Sequence, residues 1–310
     1  MSELCLVTGG AGFIGSHLVA ALAGAGRPVR VFDNLSTGLR DNLAGVRGGV
    51  EVLEGDLADP DAVAAAVRGA GVVFHLGAIA SVQLGTERPA LMHQVCAGGT
   101  LHVLDAARRH GVRRVVYAAS ASAYGLPAAD VQSEDDPLCP LSTYATAKLA
   151  GEMYCQAFTA THGLETVRLR FFNVFGPRQR ADSPYSGVIA LFAAAMAAGR
   201  RPTVFGDGLQ SRDFVAVADV VQALLRAAEV PGASGKVFNI GTGKSVNLLQ
   251  LVAALNRLLG TDLAPQHGPP RQGDIRHSRA DIRRARRDLG YEPAVPFEEG
   301  LRLTLQTPSA

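Results

Sequence analysis

The stretch LCLVTGGAGFIGSHL, residues 4–18, sets a short apolar run against three spaced glycines and then a helical pattern. Gly9, Gly12 and Gly15 therefore fall in the turn between a first strand and a first helix. Glycine tightens such a turn, lets backbone N–H groups approach a pyrophosphate, and lets the helix pack close to the sheet. The pattern alone is weak; its position in the first strand-to-helix turn makes it a dinucleotide signal, with Phe13 and Ile14 opening the helix beside it. Its spacing is GxxGxxG and not GxGxxG, which points to a separate branch of the dinucleotide folds. Asp33 closes the next strand pattern, VRVFD, 18 residues past Gly15, where a carboxylate accepts the adenosine ribose hydroxyls. No arginine follows at 34–37, so a 2′-phosphate would meet uncompensated negative charge and NAD is favoured over NADP. Asp56, at the end of the third strand pattern, can accept from an adenine amino group, and Asn34 and Leu57 flank the two aspartates. Both aspartates also read as strand-end turn residues, Asp56 as well as it reads as a ligand.

Working outward, β-branched runs alternate with alanine-rich helical patterns. LCLVT leads to a helix from Phe13 to about Ala25, followed by VRVFD (29–33), VEVLEGD (50–56), a helix from Pro60, and VVFHL (72–76). A long helix from about Pro89 to His110 leads into RVVYAAS (114–120), a second long helix spans 142–162, and ETVRLRFF (165–172) follows. Continuous apolar strands separated by helices indicate a parallel sheet covered on both faces, an α/β doubly wound fold. Beyond Asn173 the rhythm loosens into Gly/Pro-rich segments that suit a smaller, irregular lobe. The run GVIALFAAAMAAG (187–199) reads as a buried helix. The arginines near 279–287 read as a solvated helix face, because Ile282, Ala285 and Leu289 give it an apolar stripe. GTGKS (241–245) lacks the earlier glycine of a phosphate loop, since Phe238 stands there.

Composition excludes several classes. The chain of 310 residues is 47% hydrophobic and 19% charged, with a formal net charge of +2, an ordinary globular balance that points to neither nucleic acid nor membrane. No stretch reaches the ~18 apolar residues of a membrane span. The N-terminus enters a strand pattern directly, without the features of a secretory signal. Four cysteines (5, 96, 139 and 155) form no CxxC pair and read as free thiols, and the eight histidines show no metal-ligand spacing. A cytoplasmic, metal-free protein is expected.

The chemistry concentrates in PLSTYATAKLAGE (140–152). Tyr144 and Lys148 lie four residues apart on one helix face, in a chain with only three lysines among its 30 basic residues. An alcohol loses hydride to a nicotinamide only if its hydroxyl proton also leaves, and a phenol with a pKa near ~10 is a poor base unless a positive neighbour favours the phenolate. A compact ammonium does this and also hydrogen-bonds a ribose, where a planar guanidinium would crowd it. YAASASAYG (117–125) places Ser120 and Ser122 at the C-terminal end of a strand, where such sheets bind ligands, and Ser120 is positioned to hold the reacting oxygen.

Five ordered motifs, TGGAGFIGSHL, AASASAYG, YATAK, RFFNVFGPRQ and GDGLQSRDF, resemble the extended short-chain dehydrogenase/reductase family over nearly the whole chain. Within it they are similar to the NAD-dependent nucleotide-sugar epimerases of the UDP-glucose 4-epimerase type. The resemblance implies that Ser120, Tyr144 and Lys148 form the catalytic triad and that Phe172 touches the nicotinamide end. It further implies that Leu76, Gly77 and Ala78 border the cofactor, while Ser81, Ser122 and Asn173 meet the sugar diphosphate. In the second lobe it implies that Val188, Thr203 and Phe205 line the uracil, that Arg212 and Arg271 clamp the diphosphate, and that Asp274 meets the uridine ribose. Residues 1–174, with a returning segment near 214–241, are then the NAD-binding domain, and 175–213 with 242–310 the nucleotide-sugar domain.

The motif interiors narrow the reaction. Sugar 4,6-dehydratases of this family carry Asp-Glu after the active-site hydroxyl residue; here Ala121 and Ser122 stand there and cannot eliminate water. What remains is oxidation at C4, rotation of the 4-keto sugar and reduction from the other face, with NAD regenerated and kept bound. Ser278 stands where epimerases restricted to plain hexoses have a tyrosine, so UDP-N-acetylhexosamines are expected to fit alongside UDP-glucose and UDP-galactose. Two departures from the family pattern are Cys96 at a usual asparagine and Gly77 in HLGA at a usual alanine. A nucleotide-sugar reductase, an epimerase of another nucleotide sugar, and a non-catalytic NAD-binding regulator are the rival readings. A homodimer through the helices at 89–110 and 142–162 is the family's usual assembly.

Overall fold

The first strand, β1 (Cys5–Thr8), is fully buried because all four of its residues can be, and a parallel sheet grows on both sides of it. The computed structural model describes residues 3–126, 129–180, 187–270 and 275–306. After β1 come α1 (Phe13–Gly24), β2 (Val29–Asp33), β3 (Val50–Glu54), α2 (Pro60–Val67) and β4 (Val72–His75). Next are α3 (Val82–Glu87), α4 (Pro89–Met92), a π-helical turn (His93–Gly98), α5 (Gly99–Arg109) and β5 (Arg114–Ser120). The chain continues through β6 (Val131–Gln132), α6 (Thr143–His162), β7 (Glu165–Phe171), β8 (Asn173–Phe175) and α7 (Val188–Ala197). β9 (Thr203–Phe205), β10 (Ser211–Arg212), β11 (Phe214–Ala216), α8 (Val217–Glu229) and β12 (Val237–Ile240) follow. The last elements are β13 (Val246–Asn247), α9 (Leu248–Leu259), β14 (Gln266–Gly268), β15 (His277–Ala280), α10 (Arg283–Leu289) and α11 (Phe297–Gln306).

Seven strands form one parallel sheet in the order β12-β7-β5-β4-β1-β2-β3. The order reverses between β1 and β4, so a crevice opens at their C-terminal ends, Thr8 and His75, where sheets of this kind bind ligands. On one face Leu18, Leu22, Val220 and Leu224 of α1 and α8 cover the sheet; on the other Val63, Val103, Leu104 and Cys155 of α2, α5 and α6 do so. The doubly wound fold read from the sequence is the fold of the molecule.

A third cluster, with Phe175, Ile189, Phe192, Phe214, Leu251 and Leu255, gives the smaller lobe its own core. Its strands are two to four residues long and pair as β13-β10-β15-β6, β11-β8 and β14-β9. The apolar helix expected at 187–199 is α7, and Ile282, Ala285 and Leu289 are buried as expected, beside an exposed Arg283. The helix expected from Pro89 to His110 differs from a plain α-helix: the backbone widens into the π-turn at His93–Gly98 before resuming as α5. Such turns re-aim side chains at functional sites.

Candidate active site

The glycine turn is built by close backbone approach. Gly9 has φ 69°, and a Cβ there would lie 2.8 Å from both Cα and N of Gly77, on the turn after β4. A Cβ on Gly15 would lie 2.1 Å from the carbonyl oxygen of Gly9, so the start of α1 packs directly on the turn. α1 begins at Phe13 and Ile14 with no side-chain cap and no acid in its first turn, leaving its N–H groups and positive dipole end available to an anion. Asp33 is buried at the end of β2; one carboxylate oxygen accepts from Ala11 N–H and the other from Leu35 N–H, both 2.9 Å. Each oxygen keeps a second lone pair for a ribose hydroxyl. Asp56 accepts from the Asn34 side-chain amide and from Ala58 N–H, each at 2.8 Å, and Leu57 is buried beside Gly77. A Cβ on Gly77 would meet the end of Leu57 at 2.8 Å, which gives the departure from the family's alanine a local reason. The bared backbone, the uncapped helix and the carboxylate at the end of β2 fit a dinucleotide.

Beneath this cradle runs a buried line of hydrogen bonds that the sequence did not reveal. Burial pushes the His75 imidazole down to about 3, so the ring is neutral. Thr100 donates to the Cys96 carbonyl at 2.5 Å, so its oxygen accepts from His75 Nε2 at 3.0 Å. Nδ1 then accepts from Thr8 Oγ1 at 2.7 Å, and Thr8 accepts from Gly77 N–H at 3.1 Å. The loop after β4, with Leu76, Gly77 and Ala78, is thereby tied to the π-turn. Cys96, at the family's asparagine position, makes a second tie: its sulfur accepts the Ile79 N–H at 3.3 Å. The polar contact is replaced and not simply lost.

Ser142 caps α6 by accepting from Ala145 N–H at 3.1 Å, and the first turn of that helix carries Tyr144. Gly85 of α3 packs against this turn, where an added Cβ would meet Thr143 Oγ1 at 2.7 Å. The Tyr144 hydroxyl faces Ser120, whose Oγ lies 2.9 Å from Ser122 Oγ and accepts the Ser122 N–H. Lys148, one turn on, is buried with its ammonium 4.4 Å from the centre of the Tyr117 ring. The structure thus brings Ser120, Tyr144 and Lys148 to the C-terminal end of β5, beside the crevice. The lowered phenol expected from the ammonium and a positive nicotinamide ring together has packing to overcome. Burial pushes the Tyr144 phenol up to about 12, with Ser120 acting in the opposite sense. Burial also lowers the Lys148 ammonium.

Other expected residues are spread around the mouth. Ser81 caps α3 through Leu84 N–H at 3.0 Å, which leaves its own O–H free to donate outward. Asn173 is exposed on β8. The Phe172 ring packs with Tyr124, Ala280 and Ile282. Arg212 and Ser278 are register partners across β10 and β15, and the Ser278 hydroxyl donates to Gln132 Oε1 at 3.0 Å. Val188 opens α7, while Thr203 and Phe205 bound β9, both in the smaller lobe. Arg271 and Asp274 lie outside the described residues. In the GTGKS turn the buried Asp213 carboxylate receives the N–H and O–H of Thr242 and the N–H groups of Gly243 and Ala280. A carboxylate occupies the place a phosphate would take.

This arrangement defines a nicotinamide-dependent α/β enzyme of the short-chain dehydrogenase type. Residues 5–241 match the model of the NAD dependent epimerase/dehydratase family, and the chain belongs to that family. It is 40% identical over 305 residues to a UDP-glucose 4-epimerase of Mycolicibacterium smegmatis, covering 97% of each chain. Among solved structures it is similar to a UDP-N-acetylglucosamine 4-epimerase from Methanobrevibacter ruminantium in complex with UDP-N-acetylmuramic acid. That match has a TM-score of 0.94 and 35% identity and covers 98% of this chain and 97% of the other. It is also similar to MoeE5 in complex with UDP-glucose and NAD, at a TM-score of 0.88 and 36% identity over 97% of both chains.

Proposed function

We infer that the chain is an NAD-dependent UDP-hexose 4-epimerase. The observation that carries this reading is the Tyr144 phenol facing Ser120 with Lys148 one turn on, set beside a backbone cradle shaped for a dinucleotide. When bound, the dinucleotide supplies a positive ring that takes hydride from the sugar and later returns it. Tyr144 accepts the proton of the C4 hydroxyl, and Ser120 holds that oxygen in line with the phenol. Lys148 supplies positive charge against the phenolate and a donor to the ribose. Once the 4-keto sugar has turned its other face, Tyr144 would return the proton to the same oxygen, with Ser120 again holding that oxygen. Because each half-reaction reverses the other, the residues need no acid–base pair for elimination, in keeping with Ala121 and Ser122 after Ser120.

The finer reading is that UDP-N-acetylhexosamines are accepted with UDP-glucose and UDP-galactose. Ser278 supports it: a small side chain, held on Gln132, stands next to Arg212 and leaves volume at the sugar end. Arg212, Arg271, Asp274, Val188, Thr203, Phe205, Asn173 and Ser81 are proposed to hold the nucleotide and sugar. We also propose a cofactor domain of 1–174 with the returning segment near 214–241, supported by β12 joining the large sheet. Among the described residues, no helix is long and apolar enough to cross a membrane, and a cytoplasmic homodimer is proposed. The exposed Met153 and Tyr154 of α6 support α5 and α6 as the dimer face. The test is incubation of purified protein with a panel of UDP-sugars, scored for C4 inversion without added NAD. Tyr144→Phe should abolish turnover without unfolding the protein, and Ser278→Tyr should remove only N-acetylated substrates. Turnover that stops unless NAD(P)H is fed would overturn the epimerase reading.

A further inference from the structure

Lys148 and Glu152 stand four residues apart on the buried face of α6, the spacing at which a lysine and a glutamate pair. They do not pair. Both Glu152 oxygens are taken by Arg170 of β7, whose Nε and Nη2 donate to them at 3.0 and 2.6 Å. Arg170 is itself fixed: Nη1 donates to the Tyr124 hydroxyl at 2.8 Å, and that hydroxyl donates to Asn239 Oδ1 at 2.6 Å. Among the described residues, no carboxylate lies within ion-pair distance of Lys148, whose ammonium sits over the face of Tyr117.

We propose that Arg170 is a positioning residue that keeps Glu152 from capturing Lys148, and so leaves the ammonium aimed at Tyr144 and the cofactor ribose. The inference rests on the reading of Tyr144 and Lys148 as the proton-transfer pair. The geometry favours it over a purely structural salt bridge because the fork of Arg170 occupies both acceptor oxygens, where a single contact would leave one free. The field of Glu152 already reaches Lys148. The groups facing Lys148 are Glu152 and Cys155 on its own helix, Cys96 on the π-turn, Tyr117 on β5 and His75 on β4. Facing Glu152 are Arg170 and Arg168 of β7 and Cys155. In this set Glu152 is the carboxylate beside Lys148, so releasing it from Arg170 leaves Lys148 and Arg168 as its cationic neighbours, and a shift of the phenol reads the first of the two.

The test compares Arg170→Met, Glu152→Gln and the double variant, measured by the acid limb of the pH–turnover profile and by ultraviolet titration of the Tyr144 phenol, read as the difference from Tyr144→Phe. Arg170→Met frees Glu152 to neutralise Lys148, so both the limb and the phenol should move up by about one pH unit, with roughly tenfold less turnover at neutral pH. Removing the freed acid in the double variant should return both to wild-type positions. Glu152→Gln alone should not raise either. If Arg170→Met does not fold, Arg170→Lys, which keeps the charge but lacks the fork, should show a smaller rise in both. A lost structural brace would lower thermal stability and amplitude but leave the limb in place. An unmoved limb in the single variant, or a double variant that stays shifted with it, overturns the proposal. If Tyr144→Phe retains turnover, the proton-transfer reading itself fails, which is a separate outcome.

Discussion

Replacing Gly151 with alanine tests how tightly α6, the helix of Tyr144 and Lys148, is seated. A Cβ at this position would lie 2.4 Å from the Tyr117 hydroxyl and 3.0 Å from Thr100 Oγ1, both on buried residues. Tyr117 cannot retreat freely, because its hydroxyl donates to the Lys148 carbonyl at 3.0 Å and its ring carries the Lys148 ammonium. Forcing extra volume into such a site costs about 1–3 kcal/mol. Losing the hydroxyl's bond adds about 0.5–1.5 kcal/mol. Alanine's better helix propensity returns about 1 kcal/mol. The balance is a loss of about 1–3 kcal/mol, or on the order of 2–4 °C in melting temperature for each kcal/mol. Turnover should fall by roughly ten- to a hundredfold, because Lys148 is displaced along with Tyr117. The control is Gly24→Ala in the last turn of α1, where an added Cβ meets nothing within 4 Å and alanine should stabilise. Thermal melts and steady-state rates of the two variants decide the matter. If Gly151→Ala is as stable and active as Gly24→Ala, the packing argument beneath Lys148 is wrong.

Further outcomes follow from other parts of the site. Because the buried His75 is held neutral down to about 3, the unfolded chain binds a proton that the folded chain refuses; stability should fall as pH drops from about 6.5 toward 3. His75→Gln should flatten that part of the melting-temperature profile, and an unchanged slope would refute the assignment. Gly15→Ala sets a Cβ 2.1 Å from a backbone oxygen that cannot yield, so purified variant should carry little nicotinamide when denatured and its supernatant analysed. Retention of a full complement of NAD would contradict the cradle. Asp213→Ala strips four donors of their shared acceptor and should destabilise the protein by several kcal/mol in urea melts, each unsatisfied buried group costing about 1–3 kcal/mol.

Six of the seven strands of the large sheet were legible as short runs rich in β-branched residues, while β12 was foreseen only within a returning segment near 214–241. The small lobe was not legible, since strands such as Ser211–Arg212 and Val246–Asn247 are too short to carry any period. The π-turn left no trace in Pro89–His110, as a shift in backbone hydrogen bonding needs no special residue. Tyr144, Lys148 and Ser120 were readable from type and spacing. The burial that raises the Tyr144 phenol was not, because burial is a property of packing and not of neighbours in sequence. Tyr117 and the Arg170–Glu152 pair also escaped notice, although two arginines within the apolar strand ETVRLRF were a visible oddity. Buried charges of that kind require partners from elsewhere in the chain, and sequence alone does not say which.

The outermost strand of the large sheet, β12, is supplied by residues 237–240, after the chain has left β7 at Phe171 and traced part of the smaller lobe. A nascent chain emerging from the ribosome therefore holds β7 with one flank of its amide groups uncovered for a long interval. Arg168 and Arg170 punctuate that flank with charge, which discourages a neighbouring polypeptide from adding on. In the finished molecule Arg168 turns to the carbonyl oxygens of Gly235 and Lys236, at the threshold of the late-arriving strand. A truncation ending before Val237 would leave that flank bare for good, and such a fragment should clump where the whole chain stays dispersed.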